Sequence, residues 1–126
     1  MPTGSASIGR RMGWLRTAVG VGLLVAPGPV FRLSGREEPT PASMLLMRTI
    51  GIRDLVLGLG VVRACRGSER SEARRWLSAV FASDSLDVLL ALASKGSVGD
   101  REGTGAAITA ATFVIGDVLA LVDAAR

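Results

Sequence analysis

Charge is excluded from long tracts of this chain, and that exclusion constrains its fold more than any other feature. No residue from Thr17 to Phe31 is charged, only Asp84 and Asp87 are between Trp76 and Ser94, and only Asp117 is between Gly103 and Val122. Between Pro39 and Val62 the charges are Arg48, Arg53 and Asp54. Apart from Asp123 and Arg126, the other ionisable residues fall in the intervals, at 10–16, 32–38, 63–75 and 95–102. A soluble helix hides one stripe and shows water a polar face every 3.6 residues. The tract WLSAVFASDSLDVLLALAS shows no such face, because its leucines, valines and phenylalanine point all round and no Glu or Lys faces outward. Four such tracts match the roughly 17 to 25 residues a helix needs to cross a bilayer. The fold expected is all-α: one domain over 1–126, an antiparallel bundle of four transmembrane helices near 13–31, 44–64, 75–94 and 104–123.

The competing reading is a soluble helical binding protein with greasy surfaces. One charge-free run alone reaches fifteen residues, and a clean span usually has about 18. Loop charges give a test that does not use hydropathy. With four spans, one side holds Arg10, Arg11, Arg16, Arg63, Arg66, Arg70, Arg74, Arg75 and Arg126, and the other holds Arg32, Arg36, Lys95 and Arg101. Lys and Arg concentrate on the cytoplasmic side, so both termini are expected in the cytoplasm, with the chain in the cell membrane. The five arginines at 63–75 would also suit nucleic acid. No aromatic accompanies them, and Glu69 and Glu72 lie beside them, so a nucleic-acid partner is not expected. Arg10-Arg11 before an apolar run is similar to a twin-arginine export signal. No small-residue cleavage site follows Val25, and Ala26-Pro27-Gly28-Pro29 comes instead, so a retained first helix is preferred.

Pro27 and Pro29 should bend or end the first helix, since each removes a backbone donor. Thr40 or Ser43 is a cap candidate for the second helix. Gly67-Ser68 should separate the second helix from the third, with Ser71 as a cap, and Lys95 to Gly105 should be a loop. Small residues at four-residue spacing let neighbouring helices approach. Ala18, Gly22 and Ala26 form such a face on helix 1, and Thr112, Gly116, Ala120 and Ala124 form one on helix 4.

Composition removes most chemistry. There is no His, no Tyr and one Cys, so a zinc site of Cys and His, a Ser-His-Asp triad and a disulfide framework all lack their parts. Ser83 and Ser85 have only carboxylates for a base. Gly116-Asp117 lacks the first glycine of an intramembrane aspartyl protease signature, with Val114 in its place. Gly20-x-Gly22 and Gly58-x-Gly60 lack the third glycine of a dinucleotide fold. Cys65 is read as a packing residue. No enzymatic activity, metal or cofactor is expected.

The charged residues inside the tracts are the candidate site: Arg48, Arg53, Asp54, Asp84, Asp87 and Asp117. On the insertion scale the apolar residues of helix 3 supply about 2 to 5 kcal/mol, and its two aspartates cost about 5 to 7. Such charges must neutralise one another. Helices 2 and 3 run antiparallel about Ser68, which sets Arg53 level with Asp84 and Asp87, and Asp84 and Asp87 share a helix face. Asp117 reaches the cluster from helix 4. One Arg53 cannot balance Asp54, Asp84 and Asp87. Either Arg48 turns inward from the headgroups, or at least one aspartate carries a proton, because burial and a like-charged neighbour favour the neutral form. Intramembrane ionisable residues are functional candidates by default, and an Arg–Asp cluster can also serve only to fix helix register.

The run RTIGIRDLVLG at 48–58 resembles small bacterial multi-pass membrane proteins with a domain of unknown function (the 4267 family), whose second helix carries a Gly-x-Arg-Asp-x-x-x-Gly pattern. The matching residues are Gly51, Arg53, Asp54 and Gly58, and Asp84 and Asp87 match paired aspartates on the following helix. Gly51 and Gly58 join the helix-packing candidates. Members often have a His near the last helix and this chain has none, so no role for it carries over. The resemblance implies four helices in a membrane and no known activity. Two functions remain open for a membrane protein: a structural or accessory component, or a small proton- or cation-linked carrier or channel subunit. The partner implied is a lipid bilayer, joined for a carrier by further copies of the chain.

Overall fold

The structure is a computed structural model that describes residues 7–33, 38–94 and 100–126. Five helices and no strand occur among the described residues: α1 (Ser7–Val25), α2 (Pro27–Leu33), α3 (Pro41–Arg66), α4 (Arg70–Ala93) and α5 (Asp100–Ala125). The all-helical expectation stands, and the boundaries move. The first helix begins at Ser7 rather than 13 and stops at Val25, where the chain turns by 109° into α2. Pro27 and Pro29 lack the donors that would carry the helix straight on. Thr40 caps α3, its side chain accepting from the Ser43 amide at 3.1 Å, and Pro41 fills the first turn. α3 ends at Gly67, whose amide donates to Arg63 O at 3.3 Å. Ser71 is not the cap of α4. The helix starts one residue before it, and the cap position is Glu69, with no side-chain bond. The loop expected over 95–105 is shorter than its composition suggests. α5 already runs from Asp100, because glycine lowers helix propensity without removing a backbone donor; residues 95–99 lie outside the described residues.

α1 packs along α3 and α4 along α5, with a smaller contact between α3 and α4. The start of α1, the α3–α4 turn and the end of α5 share one end of the bundle. There a Cβ on Gly9 would meet Cys65 Sγ at 3.0 Å, and the apolar core gathers Val61, Ala64, Cys65, Ala73, Leu77, Val80, Ala120 and Ala124. A cavity of about 40 Å³ lined by Ala64, Cys65, Ala73 and Ala124 lies at the same end.

The α1–α3 contact is built from glycines. A Cβ on Gly51 would lie 2.8 Å from Gly20 O and 2.9 Å from Leu24 N, and one on Gly58 would lie 2.7 Å from Gly13 O. The backbones themselves touch, as small-residue faces permit. The face expected on helix 1 is therefore corrected. Ala18 is exposed, Gly22 has open space around it, and Ala26 sits half-buried at the bend. Gly9, Gly13, Thr17 and Gly20 carry the buried stripe instead. On α5, Ala120 and Ala124 are in the core, Gly116 lies against the end of the Met12 side chain, and Thr112 is exposed.

Candidate functional site

Between these glycines lies the polar centre. Arg16 falls midway between Gly13 and Gly20 on α1, and Asp54 midway between Gly51 and Gly58 on the antiparallel α3. Close backbone approach therefore brings the two side chains together. Arg16 is 3% exposed; its Nη1 donates to Asp54 Oδ1 at 3.2 Å and to Asp84 Oδ1 at 3.0 Å, and its Nη2 donates to Asp84 Oδ2. A planar guanidinium forking onto a carboxylate is the strongest of these arrangements. Asp117 approaches from α5, with Oδ2 3.7 Å from Arg16 Nη2. Phe113 covers the guanidinium, whose Cζ lies 4.9 Å from the ring centroid. One arginine thus faces aspartates of three helices.

A second fork lies nearer the surface. Arg53 Nη1 and Nη2 donate to the two carboxylate oxygens of Asp87 at 2.9 and 2.7 Å, and Nη2 also lies 3.5 Å from Asp54 Oδ1. Both partners are about one-third exposed, unlike Asp54, Asp84 and Asp117, which are buried. Asp54 links the two forks.

Of the six expected charges, the structure brings together Arg53, Asp54, Asp84, Asp87 and Asp117. Arg48 is exposed and makes no ion pair among the described residues, so it does not turn inward. The missing cation is Arg16, which charge counting had assigned to the cytoplasmic flank. Eight arginines then remain on that side. Its assignment was wrong because the first helix starts upstream of Arg10, which moves Arg16 two turns further in. The signal for it was the small-residue stripe Gly9, Gly13, Thr17, Gly20, onto whose face Arg16 falls at helical spacing.

Away from this centre and from the arginine-rich end, large aliphatic side chains dominate the surface of the bundle. Leu45, Leu46, Ile52, Val56 and Leu59 on α3, Leu86, Leu89 and Leu90 on α4, and Ile108, Ile115 and Leu119 on α5 are exposed, with Leu89 and Leu90 at 63% and 64%. Among the described residues, one helix, α4, is by length and composition apolar enough to cross a membrane, with a mean hydropathy of 1.5 over 18 residues, and α1 with α2 qualifies only as a bent pair. α3 misses because Arg53, Asp54 and either Arg48 or Arg63 fall in every window of that length. No group of three acidic, Cys or His side chains converges to hold a metal among the described residues. No protein-family model, curated protein or solved structure matches the chain. The likeness to the 4267 family therefore rests on Gly51, Arg53, Asp54, Gly58 and the two aspartates of α4.

Proposed function

We propose that the chain is a multi-pass integral membrane protein in which α1, α3, α4 and α5 cross the bilayer and the Arg–Asp centre fixes their packing. Its role is structural or accessory, without an enzymatic reaction, in keeping with the resemblance of Gly51, Arg53, Asp54 and Gly58 to the 4267-family membrane proteins. The observation that carries this reading is the inverted distribution of polarity. Arg16, Asp54, Asp84 and Asp117 are inside, and large aliphatic side chains cover the outside. In water that arrangement leaves large aliphatic side chains of three helices open to solvent, and extended exposed apolar surface marks a membrane or protein interaction site. In lipid it is the favoured one, since intramembrane charges face the bundle interior and pair. The arginine-rich end, with Arg10, Arg11, Arg63, Arg66, Arg70, Arg74 and Arg75 exposed, is assigned to the cytoplasm by the positive-inside rule. Trp14 lies at that end with Arg66 Cζ 5.5 Å from its ring, a position that suits an interfacial anchor.

Membrane fractionation of the full chain tests the proposal. Retention in the pellet after alkaline carbonate washing, with release only by detergent, is the expected result. A monodisperse protein in plain buffer would overturn it and favour a soluble helical binding protein. The excess of carboxylates over guanidinium groups in the centre favours one second reading, a proton- or cation-linked carrier subunit. Reconstituted vesicles loaded with a pH-sensitive dye distinguish it, since only a carrier dissipates an imposed gradient.

A further inference from the structure

The centre holds two guanidinium groups, Arg16 from α1 and Arg53 from α3. Facing them are four carboxyls, Asp54 from α3, Asp84 and Asp87 from α4 and Asp117 from α5. Arg53 is spent on Asp87, and Arg16 on Asp84 and Asp54. Asp117 is left over. It is 1% exposed, and its Oδ2 is buried with no hydrogen-bond donor. The Arg16 guanidinium, at 3.7 Å, is beyond hydrogen-bond reach. Its Oδ2 and Asp84 Oδ2 both face the same Arg16 nitrogen, Nη2, so the two carboxyls lie side by side. Two carboxylates both accept and neither donates, so this contact has no bond to make unless a proton sits between them.

We infer that the facing carboxyls of Asp84 and Asp117 form a proton-binding site, with the proton carried on Asp117 Oδ2 and donated to Asp84. A proton satisfies the orphaned oxygen, turns the carboxyl–carboxylate contact into a hydrogen bond, and removes one of the two uncompensated negative charges. A metal ion would have to sit against the Arg16 guanidinium, and the donor set supplies no second acidic ligand free of an arginine hydrogen bond. The step is a simple protonation: Asp117 carboxylate and a proton from water give the neutral acid, with Arg16 remaining cationic. On α5 the next acid, Asp123, is nearly two turns away, towards the arginine-rich end. The site deepens the proposed membrane reading but does not require it, because the pocket is closed by the bundle itself.

Infrared spectroscopy of the purified full chain tests this in detergent or in buffer, whichever the protein proves to need, so a failed membrane assignment cannot be mistaken for a failed site. At neutral pH the wild type should show the carbonyl stretch of a protonated carboxyl, and Asp117→Asn should remove it. Asp84→Asn should shift the band, by changing its hydrogen-bond acceptor, without removing it. Absence of the band in the wild type overturns the inference. So does its persistence in Asp117→Asn, or its loss in Asp84→Asn. If Asp117→Asn fails to fold, the wild-type spectrum and the Asp84→Asn shift still decide.

Discussion

Arg16 and Asp84, 68 positions apart in the chain, meet fork to fork at the bottom of the polar centre, α1 supplying the cation and α4 the anion. Neither helix packs along the other as its main neighbour; α1 lies on α3 and α4 on α5. The pair therefore ties the two halves of the bundle together. Removing one partner of a buried pair leaves an uncompensated charge, and here it would leave three carboxyls facing one another.

Arg16→Met should accordingly destabilise the protein by about 3 to 5 kcal/mol. Arg16→Lys should recover only part of that, since an ammonium is a point charge that cannot fork. Combining Arg16→Met with Asp54→Asn, Asp84→Asn and Asp117→Asn should restore most of the loss, because the stranded charges go too. Denaturant unfolding in detergent followed by circular dichroism measures all three. Equal stability of Arg16→Met and wild type would show that Arg16 is not the keystone.

The helical class and five of the six central charges were legible because charge and apolarity are local properties of the sequence. Arg53, Asp54, Asp84, Asp87 and Asp117 each interrupt an otherwise apolar tract. Arg16 was not legible in that way: two arginines precede it and an apolar run follows it, so it reads as the flank of a helix. Only the position of the helix start makes it internal, and helix ends are the least determined feature of a sequence. The choice of Ala18 and Gly22 over Gly13 and Gly20 is the same error seen from another side. Both sets keep a three- or four-residue spacing, and only contact with Gly51 and Gly58 selects one.

That contact yields a second prediction. Gly51→Ala places a methyl against Gly20 O and Leu24 N, backbone atoms that cannot swing away, so it should cost about 1 to 3 kcal/mol by overpacking. By parting α1 from α3 it should also weaken the Arg16–Asp54 bond, and a double-mutant cycle with Asp54→Asn should show coupling. Gly22→Ala, facing open space, should change stability by no more than about 0.5 kcal/mol. Thermal unfolding of the three single variants and of the Gly51→Ala/Asp54→Asn double variant checks both; equal effects at 51 and 22 would contradict the close crossing.

The Arg53–Asp87 fork has good geometry but is one-third open on both sides. Solvent screening makes such a pair weaker than a buried one. Asp87→Asn should therefore cost clearly less than Asp84→Asn, whose carboxylate is 3% exposed. Unfolding midpoints of the two isosteric variants give the order directly. A larger loss at Asp87 would mean that the outer fork, and not Arg16, organises the cluster.

The last prediction concerns the arginine-rich end. Ser68 is exposed in the α3–α4 turn, Glu38 is exposed beyond the other end of α3, and Cys65 is buried. If α3 crosses the bilayer once, as proposed, residues 38 and 68 face opposite compartments, and the positive-inside rule predicts 68 in the cytoplasm. In intact cells a membrane-impermeant maleimide should label Glu38→Cys promptly and Ser68→Cys only after permeabilisation, both in a Cys65→Ala background. The native Cys65 should label slowly under either condition, because the reagent must reach a thiol packed beneath Gly9 and Leu77. Labelling of both engineered cysteines from outside would show that α3 does not span the membrane. Reversal of their order would keep the span and overturn the assignment of the arginine-rich end to the cytoplasm.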